Sequence, residues 1–190
     1  MDRDAASFQV MALSGSLRTA SSNTALLQAA AVLAPSSLRI SLYRSWAELP
    51  PFTPDAEGAE PAAVLVFRAA LQEADAVLIA SPEYAHGLPG AFKNALDWVV
   101  GSGEFINKPV AALNASGRAT HAQASLLDTL AMMNADVVSA ASAVVALPTN
   151  KLDAAAMLAD ATIAGKLHLA LAALAGHLGR RLAPGRSTAS

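Results

Sequence analysis

The apolar run Ala76-Val77-Leu78-Ile79-Ala80 is followed by Ser81-Pro82-Glu83-Tyr84-Ala85-His86-Gly87-Leu88-Pro89-Gly90 and then by Ala91-Phe92-Lys93-Asn94-Ala95-Leu96-Asp97-Trp98. A short apolar run without polar alternation reads as a strand buried on both faces. Pro82, Gly87, Pro89 and Gly90 punctuate the loop behind it, before helical spacing resumes. Such a strand requires covering layers above and below, which points to an α/β fold. In open α/β sheets the loop leaving a strand's carboxyl end is where ligands bind.

The rest of the chain alternates in the same way. Strands are expected at residues 8–13, 38–43, 76–80, 109–114 and 137–145. Helices are expected at 23–33, 62–73, 90–100, 121–134 and 154–178. Leu26, Leu27, Ala30 and Leu33 share one face of the first helix, and Leu126, Leu127 and Leu130 one face of the fourth. This alternation predicts a parallel sheet with helices on both faces. Residues 50–61, with Pro50, Pro51, Pro54 and Pro61, form an exposed loop rather than a linker, because neither flank is large enough to fold alone. The reading is one domain over residues 1–190, with a core at about 8–178 and frayed termini.

Composition narrows the function. Hydrophobic residues at 54% and charged residues at 15% argue against disorder, and only 5% aromatics implies a core of Ala, Leu and Val. A net charge of −2 offers no footprint for nucleic acid, and no basic run marks a membrane surface. With no cysteine, disulfides, thiolate metal sites and cysteine nucleophiles are excluded. Met1-Asp2-Arg3-Asp4 lacks the basic start and apolar centre of a signal peptide. Asp160, Lys166 and His168 interrupt the apolar stretch at 154–178, which therefore reads as a packed helix and not a membrane span. The expectation is a soluble, cytoplasmic protein.

A second loop follows the first expected strand: Gly15-Ser16-Leu17-Arg18-Thr19-Ala20-Ser21-Ser22-Asn23. Gly15 allows a sharp turn, and Asn23 or Ser22 can cap the next helix. The amide hydrogens and positive dipole end of a helix N-terminus favour an anion. Ser16, Ser21 and Ser22 add hydroxyls, and Arg18 can neutralise a phosphate with directed hydrogen bonds. The loop is neither a Walker loop nor a three-glycine dinucleotide signature. Its hydroxyls suit a terminal monophosphate. The plain alternative is a Ser-rich turn with ordinary capping.

The loop at 81–90 suits a flat heteroaromatic ring: Tyr84 offers an aromatic face or edge, and backbone amides at Glu83, Tyr84, Ala85 and His86 can bond ring carbonyls and nitrogens. Together the two loops resemble the NADPH-dependent FMN reductase family, flavodoxin-like proteins that include quinone, azo-dye and chromate reductases. The likeness rests on Gly15-Ser16-Leu17-Arg18 with Ser21 and Asn23. It rests further on Pro82-Glu83-Tyr84, Leu88-Pro89-Gly90 and Lys93-Asn94-Ala95-Leu96-Asp97-Trp98. It implies a flavodoxin-like, doubly wound five-stranded parallel sheet of order 2-1-3-4-5, with FMN at its carboxyl edge. Phosphate contacts would fall on Ser16, Arg18, Ser21 and Asn23. Ring contacts would fall on Pro82, Glu83, Tyr84, Ala85 and His86, with backbone donors from Ser116, Gly117 and Arg118. NADPH or NADH would be co-substrate, a small-molecule electron acceptor the partner, and a homodimer or homotetramer the assembly.

Two departures from the family pattern stand out. Ala85 replaces the Asn that commonly follows Pro-Glu-Tyr, and the third loop, Ser116-Gly117-Arg118-Ala119-Thr120-His121, lacks paired glycines. His86 and His121 should converge over the cofactor, and with Glu83 could be drawn as a metal triad, but no ligand spacing supports one. Arg118 could serve the 2′-phosphate of NADPH, a carboxylate across an interface, or solvent alone. His168 and His177 read as structural. The function implied is an FMN-dependent NAD(P)H oxidoreductase. The alternatives are a flavodoxin-like electron carrier and a module that kept the fold but lost FMN.

Overall fold

Alternation along the strands sorts the core into two layers. In the computed structural model, which describes residues 7–182, β1 (Phe8–Ser14) sends Val10 and Ala12 to one face and Met11 and Leu13 to the other. β3 (Ala76–Ala80) and β4 (Pro109–Leu113) are buried on both faces and repeat that division. β2 (Leu38–Leu42) and β5 (Asp136–Val137) are the edges, and the order is β2-β1-β3-β4-β5, parallel throughout. The order matches the sequence expectation. Register is fixed by apolar neighbours: Val10 lies opposite Ile40 and Ala76, and Ile79 opposite Leu13 and Ala112.

On one face lie α1 (Ser22–Leu33), α5 (Ala154–Ala159) and α6 (Ala161–Leu182), packed through Leu26, Leu27, Met157, Leu167, Leu171 and Leu174. On the other lie α2 (Ala62–Glu73), α3 (Gly90–Asp97) and α4 (Thr120–Met132), packed through Val64, Phe67, Phe92, Leu96, Leu126 and Leu130. The first layer is the aliphatic core that the composition implied. The second gathers the buried aromatics Trp46, Phe67, Phe92, Trp98 and Phe105. Helix α6 is long and apolar enough to cross a membrane, but Ile163, Leu167, Ala170, Leu171, Leu174 and Leu178 are buried against the protein's own core.

Two expected elements differ. The strand expected at 137–145 is only Asp136–Val137, followed by a 3-10 turn at Ser139–Ala141 and an isolated bridge between Asn114 and Val144. Here the Ala112 amide donates to the Ser142 hydroxyl at 3.1 Å, so a side chain supplies an acceptor that a continued ladder would take from backbone. The helix expected at 154–178 is two helices. Asp160 Oδ1 accepts from the Thr162 and Ile163 amides at 2.9 and 3.1 Å, capping α6 where one helix was expected to continue. The fraying expected at the termini falls on residues outside the described range.

The Pro-rich loop is held by α3. Pro50 O accepts from Trp98 Nε1 at 2.7 Å and Asn94 Nδ2 at 2.9 Å, while Asn94 Oδ1 accepts from the Phe52 amide at 2.7 Å. Lys93 is half-exposed and pairs with Asp97. At the opposite edge Asp136 anchors α6 through His177 at 2.7 Å and Arg181 at 2.6 Å. That gives His177 the structural role expected of it, whereas His168 is exposed.

Candidate active site

Parallel strands bring all their carboxyl ends to one sheet edge, and the loops there enclose a cleft of about 600 Å³. The order reverses between β1 and β3, the switch point at which such sheets open a crevice. The cleft is lined by Ser16, Arg18, Ser21, Ser22 and Asn23 from the first loop and helix, and by Ser81, Pro82, Glu83 and Tyr84 after β3. Asn114, Ala115, Ser116, Arg118 and Ala119 line it after β4, and Leu147, Pro148, Thr149 and Asn150 beyond β5. Ala85, His86 and Gly117, expected at the ring, are outside that lining.

The first loop is built by its own hydroxyls. Ser14 Oγ and Thr24 Oγ1 lie 2.7 Å apart in the interior, and Ser16 Oγ accepts from the Arg18 amide at 3.3 Å. Ser21, rather than the expected Ser22 or Asn23, caps α1 by accepting from the Thr24 amide at 3.3 Å. Gly15 serves close packing: a Cβ there would fall 2.7 Å from Ser81 Cβ and closer still to its Oγ. The first and third strand loops therefore touch at the floor of the cleft.

The loop after β3 is a two-residue hairpin. The Tyr84 and Gly87 amides exchange hydrogen bonds at 3.0 Å, and both central residues are left-handed, Ala85 at φ 49° and His86 at φ 62°. This turn carries Ala85 and His86 past the cleft rim, where the His86 ring stacks on His121 with centroids 4.4 Å apart. Tyr84 remains in the lining, 49% exposed. Glu83 Oε2 accepts from the Ala122 amide at 2.9 Å and so caps α4 from another loop.

Asn114 and the fourth loop escaped the sequence reading. Asn114, buried at the end of β4, accepts from the Ser116 amide at 2.9 Å and donates to Ala119 O at 2.8 Å, stapling the third loop at both ends. The fourth loop is tied beside it, since the Leu147 amide donates to Ala115 O at 3.0 Å. Pro148-Thr149-Asn150 follows the expected fifth strand after two residues, and the carboxyl-end rule applied there would have found it.

The donor set fits a flavin mononucleotide. Asn23 Oδ1 is buried without a hydrogen-bond partner among the described residues, an atom suited to a ligand hydroxyl. Beside it, the first-turn amides of α1 lack intrahelical acceptors, and Arg18 adds a cation. The volume lies within the usual range of about 300–1,000 Å³ for cofactor sites.

Residues 8–150 match the family model described as NADPH-dependent FMN reductase. The chain belongs to the NADPH-dependent FMN reductase family. An NAD(P)H-dependent FMN reductase from Pseudomonas aeruginosa is 36% identical over 158 residues, covering 80% of this chain and 85% of the relative. A quinone reductase from Escherichia coli is 37% identical over 93 residues, 48% of this chain and 50% of that one. Among solved structures, the flavoenzyme NAD(P)H:acceptor oxidoreductase of Paracoccus denitrificans superposes with a TM-score of 0.76 at 27% identity, covering 91% of this chain and 98% of that chain.

Proposed function

We propose that this member of the FMN reductase family holds FMN in the carboxyl-edge cleft and passes electrons from NAD(P)H to a small acceptor. The observation that carries the reading is the buried, unpartnered Asn23 Oδ1 beside the α1 N-terminus and Arg18. When bound, FMN supplies the redox chemistry between nicotinamide and acceptor. The chain's own residues bind and orient. Arg18, Ser16, Ser21, Ser22 and the α1 amides hold the phosphate, while Asn23 accepts from the ribityl chain. Backbone amides of the loops after β3 and β4, at Glu83 and Ala115, would fix the ring edge, and no side-chain acid or base is required. A quinone is the favoured acceptor class, since the names of matched relatives describe quinone reductases; a free flavin, an azo compound or an oxidised metal anion fits the same open cleft.

The test is to titrate the purified protein with FMN by flavin fluorescence, then add NADPH or NADH without oxygen and follow flavin bleaching. Saturable binding with rapid bleaching is expected. Binding without bleaching would instead make the protein an electron carrier. Failure to bind would mean the cleft has lost FMN.

A further inference from the structure

Three cleft loops repeat one local construction: a hydroxyl residue, any residue, then a cation. They are Ser16-Leu17-Arg18, Ser116-Gly117-Arg118 and Thr149-Asn150-Lys151. In each, the side-chain oxygen of the first residue accepts from the backbone amide of the third at 3.3 Å. The turn spends the hydroxyl on the backbone and leaves the cationic side chain unused locally. Ion pairs among the described residues engage Arg68, Lys93, His177 and Arg181, and none of these three.

We infer that Arg118, with Lys151 on the loop tied to its own, forms a second anion subsite, which recognises a phosphate, carboxylate or sulfonate group on the molecule exchanging electrons with the flavin. The inference rests on the flavin reading above. One phosphate at the α1 N-terminus accounts for Arg18. Arg118 follows β4, two strand spacings or about 10 Å from β1, and Lys151 follows the last strand, further still. Glu83 is the acid in the cleft lining, and its carboxylate is committed to the Ala122 amide. A chain of net charge −2 thus keeps Arg118 as an uncommitted cation in the cleft lining on the β4 side, and Lys151 follows the lining residues Thr149 and Asn150. An arginine there favours a planar or tetrahedral oxyanion through paired hydrogen bonds. That anion belongs either to the coenzyme's 2′-phosphate or to an anionic acceptor.

The test compares wild type with Arg118→Ala, Arg118→Lys and Lys151→Ala, each first titrated with FMN. Apparent affinities are then measured for NADPH against NADH in the bleaching step, and for 1,4-naphthoquinone-2-sulfonate against 1,4-naphthoquinone in reoxidation. Arg118→Ala is expected to shift one of these two ratios by about tenfold against the anionic member, the loss expected for one charge-assisted contact. Arg118→Lys should restore part of it, and Lys151→Ala should shift the same ratio less. A shift in the coenzyme ratio assigns the subsite to the 2′-phosphate; a shift in the quinone ratio assigns it to the acceptor. Both ratios within twofold of wild type would overturn the inference while leaving FMN binding intact. An Arg118→Ala loss that falls on FMN itself would also overturn it. Wild-type protein that fails to bind FMN overturns the flavin reading as well.

Discussion

Glu83, in the loop after β3, accepts a hydrogen bond at 2.9 Å from the amide of Ala122, in the first turn of α4. The N-cap position of that helix, Ala119, has no side chain able to do this. A carboxylate from a distant loop both satisfies an orphan donor and meets the positive end of the helix dipole. It also ties together two walls of the cleft, the one carrying Tyr84 and the one carrying Ser116 and Arg118. The His86–His121 stack adds a second tie between the same elements.

Removing this cap should be measurable. Glu83→Ala is expected to cost about 1 kcal/mol in urea unfolding, the usual worth of an N-cap. Glu83→Gln, which keeps an accepting oxygen but not the charge, should recover part of it. Hydrogen exchange at the Ala122 amide should accelerate in the alanine variant. Unchanged exchange there would show that the helix end is held by other contacts.

Asn114 predicts a similar loss on the facing wall. It is buried, and both halves of its amide are used, one on Ser116 and one on Ala119. Asn114→Ala leaves two backbone groups to find new partners, at a cost of about 1–3 kcal/mol. FMN affinity should fall in parallel, because the loop that presents Ser116 and Arg118 is no longer stapled. A stability loss without any change in FMN affinity would remove that loop from the cofactor site.

Much of this architecture was readable in the residues, for identifiable reasons. β3 and α2 have the bounds expected of them, because a five-residue apolar run and a Pro61 start are local signals. β5 was overextended: Val137 and Val145 look like one strand, and nothing local shows that the Ser142 hydroxyl accepts from Ala112. Asp160 read as an interruption of one helix, since a polar residue within an apolar run does not announce that it is a cap. The run Ser21-Ser22-Asn23-Thr24 offers several cap formers, and the packing of Thr24 on Ser14 accompanies the choice of Ser21. Glu83 was placed at the ring because its loop is there; its partner lies 39 residues away and is a bare amide.

Gly15→Ala should be destabilising although the backbone there needs no left-handed angle. The added methyl meets Ser81 Cβ at 2.7 Å and the buried Phe92 ring at Cδ1 at 3.1 Å. Overpacking of this kind costs about 1–3 kcal/mol. Ser81→Gly in the same chain should relieve most of it, a coupling that a double-mutant cycle measures directly. Additive losses would mean that the clash is with Phe92 and not with Ser81.

Acid should loosen the grip of β5 on α6. Burial pushes the Asp136 carboxyl upward, but hydrogen bonds and charge from His177 and Arg181 outweigh it and hold the carboxyl below its ordinary value. A group depressed on folding contributes stability that is fully present above its unfolded pKa and lost as pH falls through the folded one. Asp136→Asn should therefore be less stable than wild type at pH 5 and above, with the gap closing below about pH 4. The cluster is partly exposed, so the gap should be about 1 kcal/mol or less and shrink in high salt. Denaturation midpoints between pH 2 and 6 test this. A gap that persists undiminished at pH 2 would assign the effect to packing rather than charge.

Ala85 offers the sharpest separation of turn chemistry from ligand chemistry. It sits at φ 49° in a hairpin whose central residues are both left-handed, a conformation costing a non-glycine residue about 1–2 kcal/mol. Asparagine, which the family commonly has at this position, tolerates that region far better. Because Ala85 lies outside the cleft lining, its side chain is expected to matter to the turn and not to the cofactor. Ala85→Asn should raise the thermal midpoint by about 2–4 °C, as expected for roughly 1 kcal/mol in a chain of this size. Ala85→Gly should gain less, since glycine adds entropy to the unfolded chain. FMN affinity should change by less than about threefold in both, an amount below 1 kcal/mol. If Ala85→Asn instead tightened FMN binding tenfold with no gain in midpoint, the hairpin tip would have to fold into the cleft when the cofactor binds.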